Sequence, residues 1–258
     1  MPNMQSLLTS LLFRARLVFA ALFVDGKKLP SYYGPTEKGS RSGWANIFAF
    51  FPVFLPTLGK LSEACQKLCR NAESPLSTEP DAVRLLYNLC RMISARRVIE
   101  VGTYKGACSI ALAQALQENG GGEIHCIDIS DHYFPAIREE IERAFPLVRL
   151  IFHHGSGLKT ASSGILQQAD LIFLDADHSY EATFADLEAF YPLLDARGIL
   201  AIHDSIMWEG VCRAIKRYFP VENVLTLATS GGSGISLVLG ASRKPSAICM
   251  DKNSNSEA

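Results

Sequence analysis

Two groups of acidic and histidine side chains stand out in the sequence, each directly after an apolar run. Asp175, Asp177 and His178 follow the run LIFL, and His203 and Asp204 follow the run ILAI. Carboxylates and imidazoles are the side chains that bind cations and carry protons near pH 7. If both runs are parallel strands, the two groups meet at the edge where open α/β sheets bind ligands. This predicts a functional cluster; chance exposure of polar residues at loop tips is the alternative.

A second feature is the segment RVIEVGTYKGACS, in which an apolar strand runs into two glycines, Gly102 and Gly106. Glycines at such a place let the backbone turn tightly and approach a bound molecule, and the N–H groups that open the next helix remain available to polar ligand atoms. The spacing differs from the G-x-G-x-x-G of dinucleotide-binding loops. It indicates a loop for a nucleoside ligand, with a plain strand–turn–helix as the alternative.

An acidic residue, Asp128, ends the next predicted strand. A carboxylate about 20–30 residues beyond the glycines suits the two hydroxyls of a ribose, because it can accept both hydrogen bonds. The alternative is an aspartate that caps a helix or stabilises a turn. The glycine loop and this acid together favour a nucleoside-binding site.

The elements that must position these residues follow a regular pattern from about Ser77 onward. The segment Ser77-Thr78-Glu79-Pro80 predicts the start of a helix, with a capping residue and a proline in the first turn. Short β-rich runs then alternate with helical ones, which predicts a mostly parallel sheet covered on both faces, and two late runs predict a closing hairpin. The predicted strands are Val98–Val101, Ile124–Asp128, Val148–Phe152, Leu171–Asp175, Ile199–His203, Val224–Ala228 and Gly234–Leu239.

The composition of the 258-residue chain, 48% hydrophobic with a net charge of −1, fits one α/β domain with additions. Its Lys and Arg residues are scattered among acids, so nucleic acid is not expected as a partner. An odd number of cysteines, seven, several of them in apolar segments, indicates reduced thiols and a cytoplasmic protein. Cys65 and Cys69 lie one helical turn apart, but no second pair accompanies them in sequence, so a structural metal there is not favoured.

The N-terminal region is predicted to be an addition to the domain. Leu7 to Val24 is apolar, yet Arg14 and Arg16 stand in its middle, and each would cost about 2.5–3.5 kcal/mol at a bilayer centre. We therefore favour a helix that packs on the protein body or on a second copy in a homodimer; a membrane-surface anchor is the alternative. The predicted parts of the chain are a helical extension or cap at 1–75, the α/β domain at 76–241 and a flexible tail at 242–258.

The first loop, with Glu100, Gly102 and Gly106, resembles the cofactor loop of class I S-adenosylmethionine-dependent methyltransferases. The stretch LIFLDADHSYEATFADLEAFYPLLDARGILAIHD is similar to the signature of the small-molecule O-methyltransferases, which include the macrolide-sugar enzymes and, more distantly, the catechol and caffeoyl-CoA enzymes. The resemblance covers about Ser77 to Leu239. It implies a Rossmann-like sheet of seven mostly parallel strands with helices on both faces and an antiparallel last strand.

The resemblance also implies roles for single residues. Relatives hold a divalent cation, usually magnesium, at the positions of Asp175, His203 and Asp204. Their general base lies three positions past the first acid, where this chain has His178. His203 departs from the pattern, because an imidazole is a poor magnesium ligand and suits manganese, iron or zinc better. The candidates for cofactor contacts are Glu100, Gly102, Tyr104, Gly106 and Ser109 at the amino-acid end, Asp128 at the ribose, Ser156 at the adenine, and Asp175.

A consistent chemistry follows from this resemblance. A methyl group on a sulfonium is already a good electrophile, so the enzyme mainly has to deprotonate a hydroxyl and align it with that methyl. A divalent cation lowers the pKa of a bound oxygen, and a nearby neutral imidazole accepts the proton near pH 7. We therefore predict a cation-dependent methyltransferase that acts on a hydroxyl of a small metabolite or sugar. The alternatives are a hydroxylase-like use of the metal site and a cofactor-binding partner protein without turnover.

Overall fold

The computed structural model describes residues 61–72, 77–229 and 232–240. The apolar segment from Leu7 to Val24, most of the predicted N-terminal extension and the polar tail lie outside the described residues. Within the described ranges, no helix is long and apolar enough to cross a membrane. The division of the chain into an extension, a domain and a tail stays a prediction.

A single sheet of seven strands forms the centre of the fold, and each strand overlaps one of the predicted runs. The strands are β1 (Arg97–Val101), β2 (Gly122–Asp128), β3 (Val148–His154), β4 (Ala169–Leu174), β5 (Leu194–His203), β6 (Val224–Leu227) and β7 (Ile235–Leu239). Their order across the sheet is β3-β2-β1-β4-β5-β7-β6. Strands β1 to β5 are parallel, whereas β7 is antiparallel to both β5 and β6. The predicted fold class is confirmed.

Helices cover both faces of this sheet. In chain order they are α1 (Glu63–Ala72), α2 (Pro80–Met92), α3 (Ala107–Glu118), α4 (Phe134–Ala144), α5 (Gly157–Ser162), α6 (Tyr180–Phe190) and α7 (Glu209–Tyr218). Successive side chains of a strand point to opposite faces. Val98 and Leu171 are therefore buried in a core with α2 and α3, while Ile99 and Ile172 are buried in a second core with α6 and α7. Two apolar layers thus hold the central strands rigid.

The central strands β1 and β4 lie side by side, and the chain leaves them toward opposite edges of the sheet. Their carboxyl ends therefore form the topological switch point at which open α/β sheets bind ligands. Gly102, just after β1, has a φ of +89°, and a Cβ atom there would lie 1.8 Å from the carbonyl oxygen of Asp175. At Gly106, with φ +80°, a Cβ atom would lie 2.8 Å from the side chain of Ile137. The positive φ angles confirm the tight turn that the sequence pattern predicted, and close packing further restricts both positions. The approach of a ligand to these glycines stays a prediction.

Candidate functional site

A cavity of about 490 Å³ opens at the switch point, and residues of both polar groups form part of its wall. The wall also includes the glycine loop, the segment that precedes α2 and the segment that follows β5. The lining residues with functional side chains include Thr78, Glu79, Glu100, Asp175, His178, His203, Asp204 and Trp208. The two groups, nearly thirty residues apart in sequence, therefore share one cavity, as the parallel-strand argument predicted.

The carboxylate of Glu100 lies fully buried at the inner wall of this cavity. Its Oε2 accepts hydrogen bonds from the hydroxyl of Ser109 and from the thiol of Cys126, the latter at 3.4 Å. Its Oε1 has no hydrogen-bond partner among the residues that the structure describes. Burial raises the pKa of Glu100 to about 8. A buried acceptor without a partner is costly, so this oxygen is suited to a donor or cation supplied by a ligand.

Two predicted cofactor contacts, Asp128 and Ser156, hold backbone N–H groups. Oδ2 of Asp128 accepts from the N–H groups of Thr103 and Tyr104, at 3.0 and 2.8 Å, and its Oδ1 accepts from Ser130 at 2.8 Å. The hydroxyl of Ser156 caps the first turn of α5. Asp128 therefore shapes the glycine loop, which corresponds to the turn-stabilising alternative. Contacts of Asp128 with a ribose and of Ser156 with an adenine stay predictions.

Tyr104, another predicted cofactor contact, follows Gly102 with a φ of +46°, a conformation uncommon for residues other than glycine. Its ring packs edge to face against Tyr133, with 5.6 Å between ring centroids. Nζ of Lys105 lies 5.5 Å and 5.9 Å from the centroids of these two rings. The cavity wall thus includes an aromatic ring and a cation from the glycine loop.

Three donor atoms, from Asp175, His178 and Asp204, converge at the ends of β4 and β5, within 4.8 Å of one another. Nε2 of His178 lies 2.6 Å from Oδ2 of Asp204 and 4.0 Å from Oδ1 of Asp175. This nitrogen is buried, and no described group is aligned to form a hydrogen bond with it. Asp204 has a φ of +57°, a sparsely populated conformation. Two carboxylate oxygens and one imidazole nitrogen form a donor set that fits a divalent cation.

His178 lies between two carboxylates and an aromatic ring. The carboxylates of Asp175 and Asp204 raise its pKa to about 9. Its ring stacks on Trp208, with 4.8 Å between ring centroids and 11° between ring planes. The neutral imidazole expected near pH 7 therefore requires that positive charge offset these carboxylates.

His203, predicted as a metal ligand, lies outside this donor cluster. Its Nε2 is 2.6 Å from Oε2 of Glu79, and its Nδ1 is 3.2 Å from Oδ1 of Asp175 and 3.5 Å from Oδ2 of Asp204. Burial lowers its pKa, but the surrounding carboxylates outweigh this effect and raise the pKa to about 12. Both of its ring nitrogens face carboxylates, and the donor atoms that converge as one group are those of Asp175, His178 and Asp204. The assignment of His203 as a metal ligand stays a prediction.

Asp177 also lies apart from the cluster that the sequence predicted. Its side chain is exposed, and Oδ1 accepts a hydrogen bond from the N–H of Ser179 at 2.7 Å. Ser179 is the N-cap residue of α6. Asp177 therefore stabilises the turn that leads into α6, which is the ordinary role of an aspartate at a loop tip.

Thr78 and Glu79, predicted only as the start of a helix, also contribute to the site. Helix α2 does begin at Pro80, with Glu79 at the N-cap position. However, the hydroxyl of Thr78 donates to Oδ2 of Asp175 at 2.8 Å, and Glu79 binds His203. Glutamate is not among the residues preferred at N-caps. Its presence directly before the proline is the one signal that could have indicated another role.

Comparison with known proteins places this fold among methyltransferases. Residues 99–205 match the protein family described as a methyltransferase domain. Tricin synthase 2 of Oryza sativa subsp. japonica is 27% identical over 140 residues, which cover 52% of this chain and 46% of that protein. Caffeoyl-CoA O-methyltransferase 1 of Zea mays is 26% identical over 140 residues, which cover 52% of each protein. The chain spans about half the length of the curated relatives that it matches.

Solved structures show the same fold. An O-methyltransferase from Bacillus cereus in complex with SAH superposes with a TM-score of 0.57 and 20% identity, covering 70% of this chain and 93% of that one. An O-methyltransferase of tomaymycin synthesis from Streptomyces achromogenes, in complex with SAM, has a TM-score of 0.54 and 22% identity, covering 70% and 91%. At these identities the likeness is one of fold. With the family match, it confirms the resemblance on which the sequence analysis relied.

Proposed function

We propose that this chain, whose residues 99–205 match the methyltransferase-domain family, transfers a methyl group from S-adenosylmethionine to a hydroxyl of a small molecule. The proposal depends on one observation: Oε1 of Glu100 is buried at the cavity wall and has no hydrogen-bond partner in the described part of the chain. The α-ammonium group of the cofactor supplies both the donor and the charge that this oxygen requires. The names of the relatives support O-methylation as the reaction.

The proposed cofactor site extends from Glu100 along the glycine loop. In this proposal Ser109 keeps the Glu100 carboxylate oriented, while Asp128 holds the loop in shape and offers its remaining lone pairs to the ribose hydroxyls. The other residues that we assign to the cofactor are Gly102, Tyr104, Gly106, Ser156 and Asp175.

The acceptor would be deprotonated at the carboxyl ends of β4 and β5. Nε2 of His178 is the atom that we assign to take the proton, because it lies in the wall of the cavity among the donor atoms of Asp175 and Asp204. The two carboxylates would hold a divalent cation, which, when bound, lowers the pKa of a hydroxyl oxygen and offsets the negative charge beside His178. Two carboxylates are hard oxygen ligands, which suit Mg²⁺ and also accept Mn²⁺. The stacked ring of Trp208 keeps the imidazole from rotating away.

We also propose a cytoplasmic location and a hydroxylated small molecule as the partner, with no role for nucleic acid. All six cysteines in the described part of the chain are free thiols, which suits a reducing compartment. A homodimer formed through the apolar N-terminal segment, and the division of the chain at residues 75 and 241, belong to the same proposal. Sedimentation of the full chain tests the dimer.

The proposed function is tested first by calorimetric titration with S-adenosylhomocysteine, in EDTA and then with MnCl₂ or MgCl₂. We expect micromolar binding by the wild type and a loss of at least about tenfold in Glu100→Gln. Formation of S-adenosylhomocysteine from S-adenosylmethionine is then followed with caffeoyl-CoA and TDP-rhamnose as acceptor probes, since related proteins carry these substrates in their names. Absence of binding under every metal condition would remove the methyltransferase proposal.

A further inference from the structure

The carboxylate of Glu79 joins three parts of the chain that lie far apart in sequence. Its Oε2 accepts from Nε2 of His203 at 2.6 Å. Its Oε1 accepts from the hydroxyl of Thr229 at 2.9 Å and from the N–H of Ser233 at 3.3 Å. These partners are 124, 150 and 154 residues away. Glu79 also precedes the segment that matches the methyltransferase family, so the comparison gives it no role.

The Glu79–His203 contact is among the best protected from water at the site. The side chain of His203 is 5% exposed and that of Glu79 is 13% exposed. A carboxylate at such a depth is strongly disfavoured unless hydrogen bonds and opposite charge compensate it. Glu79 has three donors, and both of its oxygens are used. Because every oxygen of this carboxylate has a hydrogen-bond partner, the contact is a specific structural interaction and not a chance approach of two side chains.

The first consequence is a fixed orientation of Asp175. With Nε2 of His203 held by Glu79, Nδ1 of the same ring faces Oδ1 of Asp175 at 3.2 Å. On the other side, the hydroxyl of Thr78 donates to Oδ2 of Asp175. The short segment that contains Thr78 and Glu79 therefore sets both oxygens of this carboxylate, one directly and one through His203.

The second consequence concerns the wall of the cavity near the proposed base. Thr229 and Ser233 lie on either side of the connection between β6 and β7, and Glu79 binds both. The carbonyl oxygen of Ser233 in turn accepts from the N–H groups of Ile206 and Met207, at 2.9 and 3.1 Å. The next residue, Trp208, stacks on His178. Glu79 is thus linked through Ser233 to the segment that supports His178.

We infer that Glu79 is a positioning residue that holds Asp175, through His203, and His178, through Ser233 and the 206–208 segment, in the geometry needed for methyl transfer. The inference rests on the proposed function. Misplacement of reacting groups by about 1 Å can cost about 100-fold in rate, so removal of Glu79 should act on turnover. Asp175 is also assigned to the cofactor, so some loss of cofactor affinity is expected. Glu100 and the glycine loop make none of these described contacts, so this loss should be much smaller than the loss of turnover.

Three variants test the inference in the full-length chain: Glu79→Gln, Glu79→Ala and, as a control, Glu181→Gln in the exposed first turn of α6. Glutamine keeps one acceptor for His203 but offers an N–H₂ group where a second acceptor is needed. We expect kcat with caffeoyl-CoA or TDP-rhamnose to fall about tenfold in Glu79→Gln and about 100-fold in Glu79→Ala. The dissociation constant of S-adenosylhomocysteine should stay within about twofold in both variants, and Glu181→Gln should match the wild type.

Two results would overturn the inference. One is an unchanged kcat in Glu79→Ala; the other is a fall of kcat that is matched by an equal loss of S-adenosylhomocysteine affinity and of thermal stability, which would make Glu79 merely structural. If the wild type methylates neither acceptor, the proposed function is contradicted for these substrates. The positioning role of Glu79 is then tested separately, by ¹H–¹⁵N spectra of the imidazole rings. The ring signals of His203 and His178 should then shift in Glu79→Gln, while those of His125 and His153, on β2 and β3, stay in place.

Discussion

Gly102 and Asp175 meet where β1 and β4 end, and the glycine leaves no room for a side chain beside the carbonyl oxygen of Asp175. The first predicted loop and the first predicted acid of the site are therefore one packed unit. A change in the loop at this point must move Asp175 as well, which couples the proposed cofactor side of the cavity to the proposed acceptor side.

We predict that Gly102→Ala is strongly destabilising. An alanine there would have both a positive φ and a Cβ atom 1.8 Å from a backbone oxygen, and backbone atoms cannot move aside cheaply. Gly164→Ala is a matched control, because Gly164 also has a positive φ, +74°, but no described atom lies within 4 Å of its Cβ position. In urea unfolding, the free energy of unfolding should fall by about 3 kcal/mol or more in Gly102→Ala and by about 1 kcal/mol in Gly164→Ala. Equal losses would show that the close contact does not matter.

We predict that cofactor binding releases a proton from Glu100. Burial raises the pKa of this carboxyl to about 8, so at pH 7 it is mostly protonated, whereas the α-ammonium group of a bound cofactor favours the ionised form. Calorimetry with S-adenosylhomocysteine in buffers of different ionisation enthalpy should therefore detect release of about one proton at pH 7. Affinity should rise about tenfold from pH 6.5 to 8 and then level off.

Glu100→Gln is the control for this proton release, because an amide has no proton to lose in this range. Binding to the variant should be weaker and its heat independent of the buffer. A heat of wild-type binding that does not depend on the buffer would contradict the assignment of Glu100 to the ammonium group.

The strands and the meeting of the two polar groups could be predicted from the sequence, because both depend on local patterns. Apolar runs followed by acids mark the ends of parallel strands, and parallel strands bring such ends together. The role of His203 could not be predicted in this way. Its partner Glu79 lies 124 residues away, and the local pattern of helix, proline and cap explained that segment without it. Pairing between distant side chains leaves no periodic signal in a single sequence.

The glycines show a related limit. Gly102 and Gly106 were correctly predicted in a tight turn between β1 and α3, and the sequence also suggested that a bound molecule approaches them. In the described structure, the backbone of Asp175 and the side chain of Ile137 occupy the space that a Cβ atom would need. A glycine in the sequence indicates a positive φ or a shortage of space, but it does not indicate which of the two applies or which group fills the space.

We predict that Asp186→Asn stabilises the protein above pH 6. Burial, with a smaller contribution from Asp177, raises the pKa of Asp186 from 3.8 to about 6. A carboxyl whose folded pKa is raised favours folding when protonated, and this advantage is lost as the pH rises from about 4 to about 6. In thermal and urea unfolding, the free energy of unfolding of Asp186→Asn should exceed that of the wild type by about 1–2 kcal/mol at pH 7.5 and by little near pH 4. Glu188→Gln, on the exposed part of α6, should have no comparable effect; a gain at pH 4 equal to that at pH 7.5 would refute the electrostatic explanation.

We predict that His178→Ala lowers turnover by about 100-fold or more while leaving S-adenosylhomocysteine affinity nearly unchanged, because a general base acts on the acceptor and not on the cofactor. Asp177→Asn is the control, since the neighbouring Asp177 lies outside the donor cluster.

The pH dependence of the wild-type rate is a more specific test of His178 as the base. Asp175 and Asp204 raise the pKa of His178 to about 9, so the residual rate that remains in EDTA should increase with pH up to about 9. With saturating MnCl₂, positive charge on the two carboxylates should shift this rise to lower pH. A wild-type rate that neither falls in His178→Ala nor responds to pH between 6 and 9 would exclude His178 as the base.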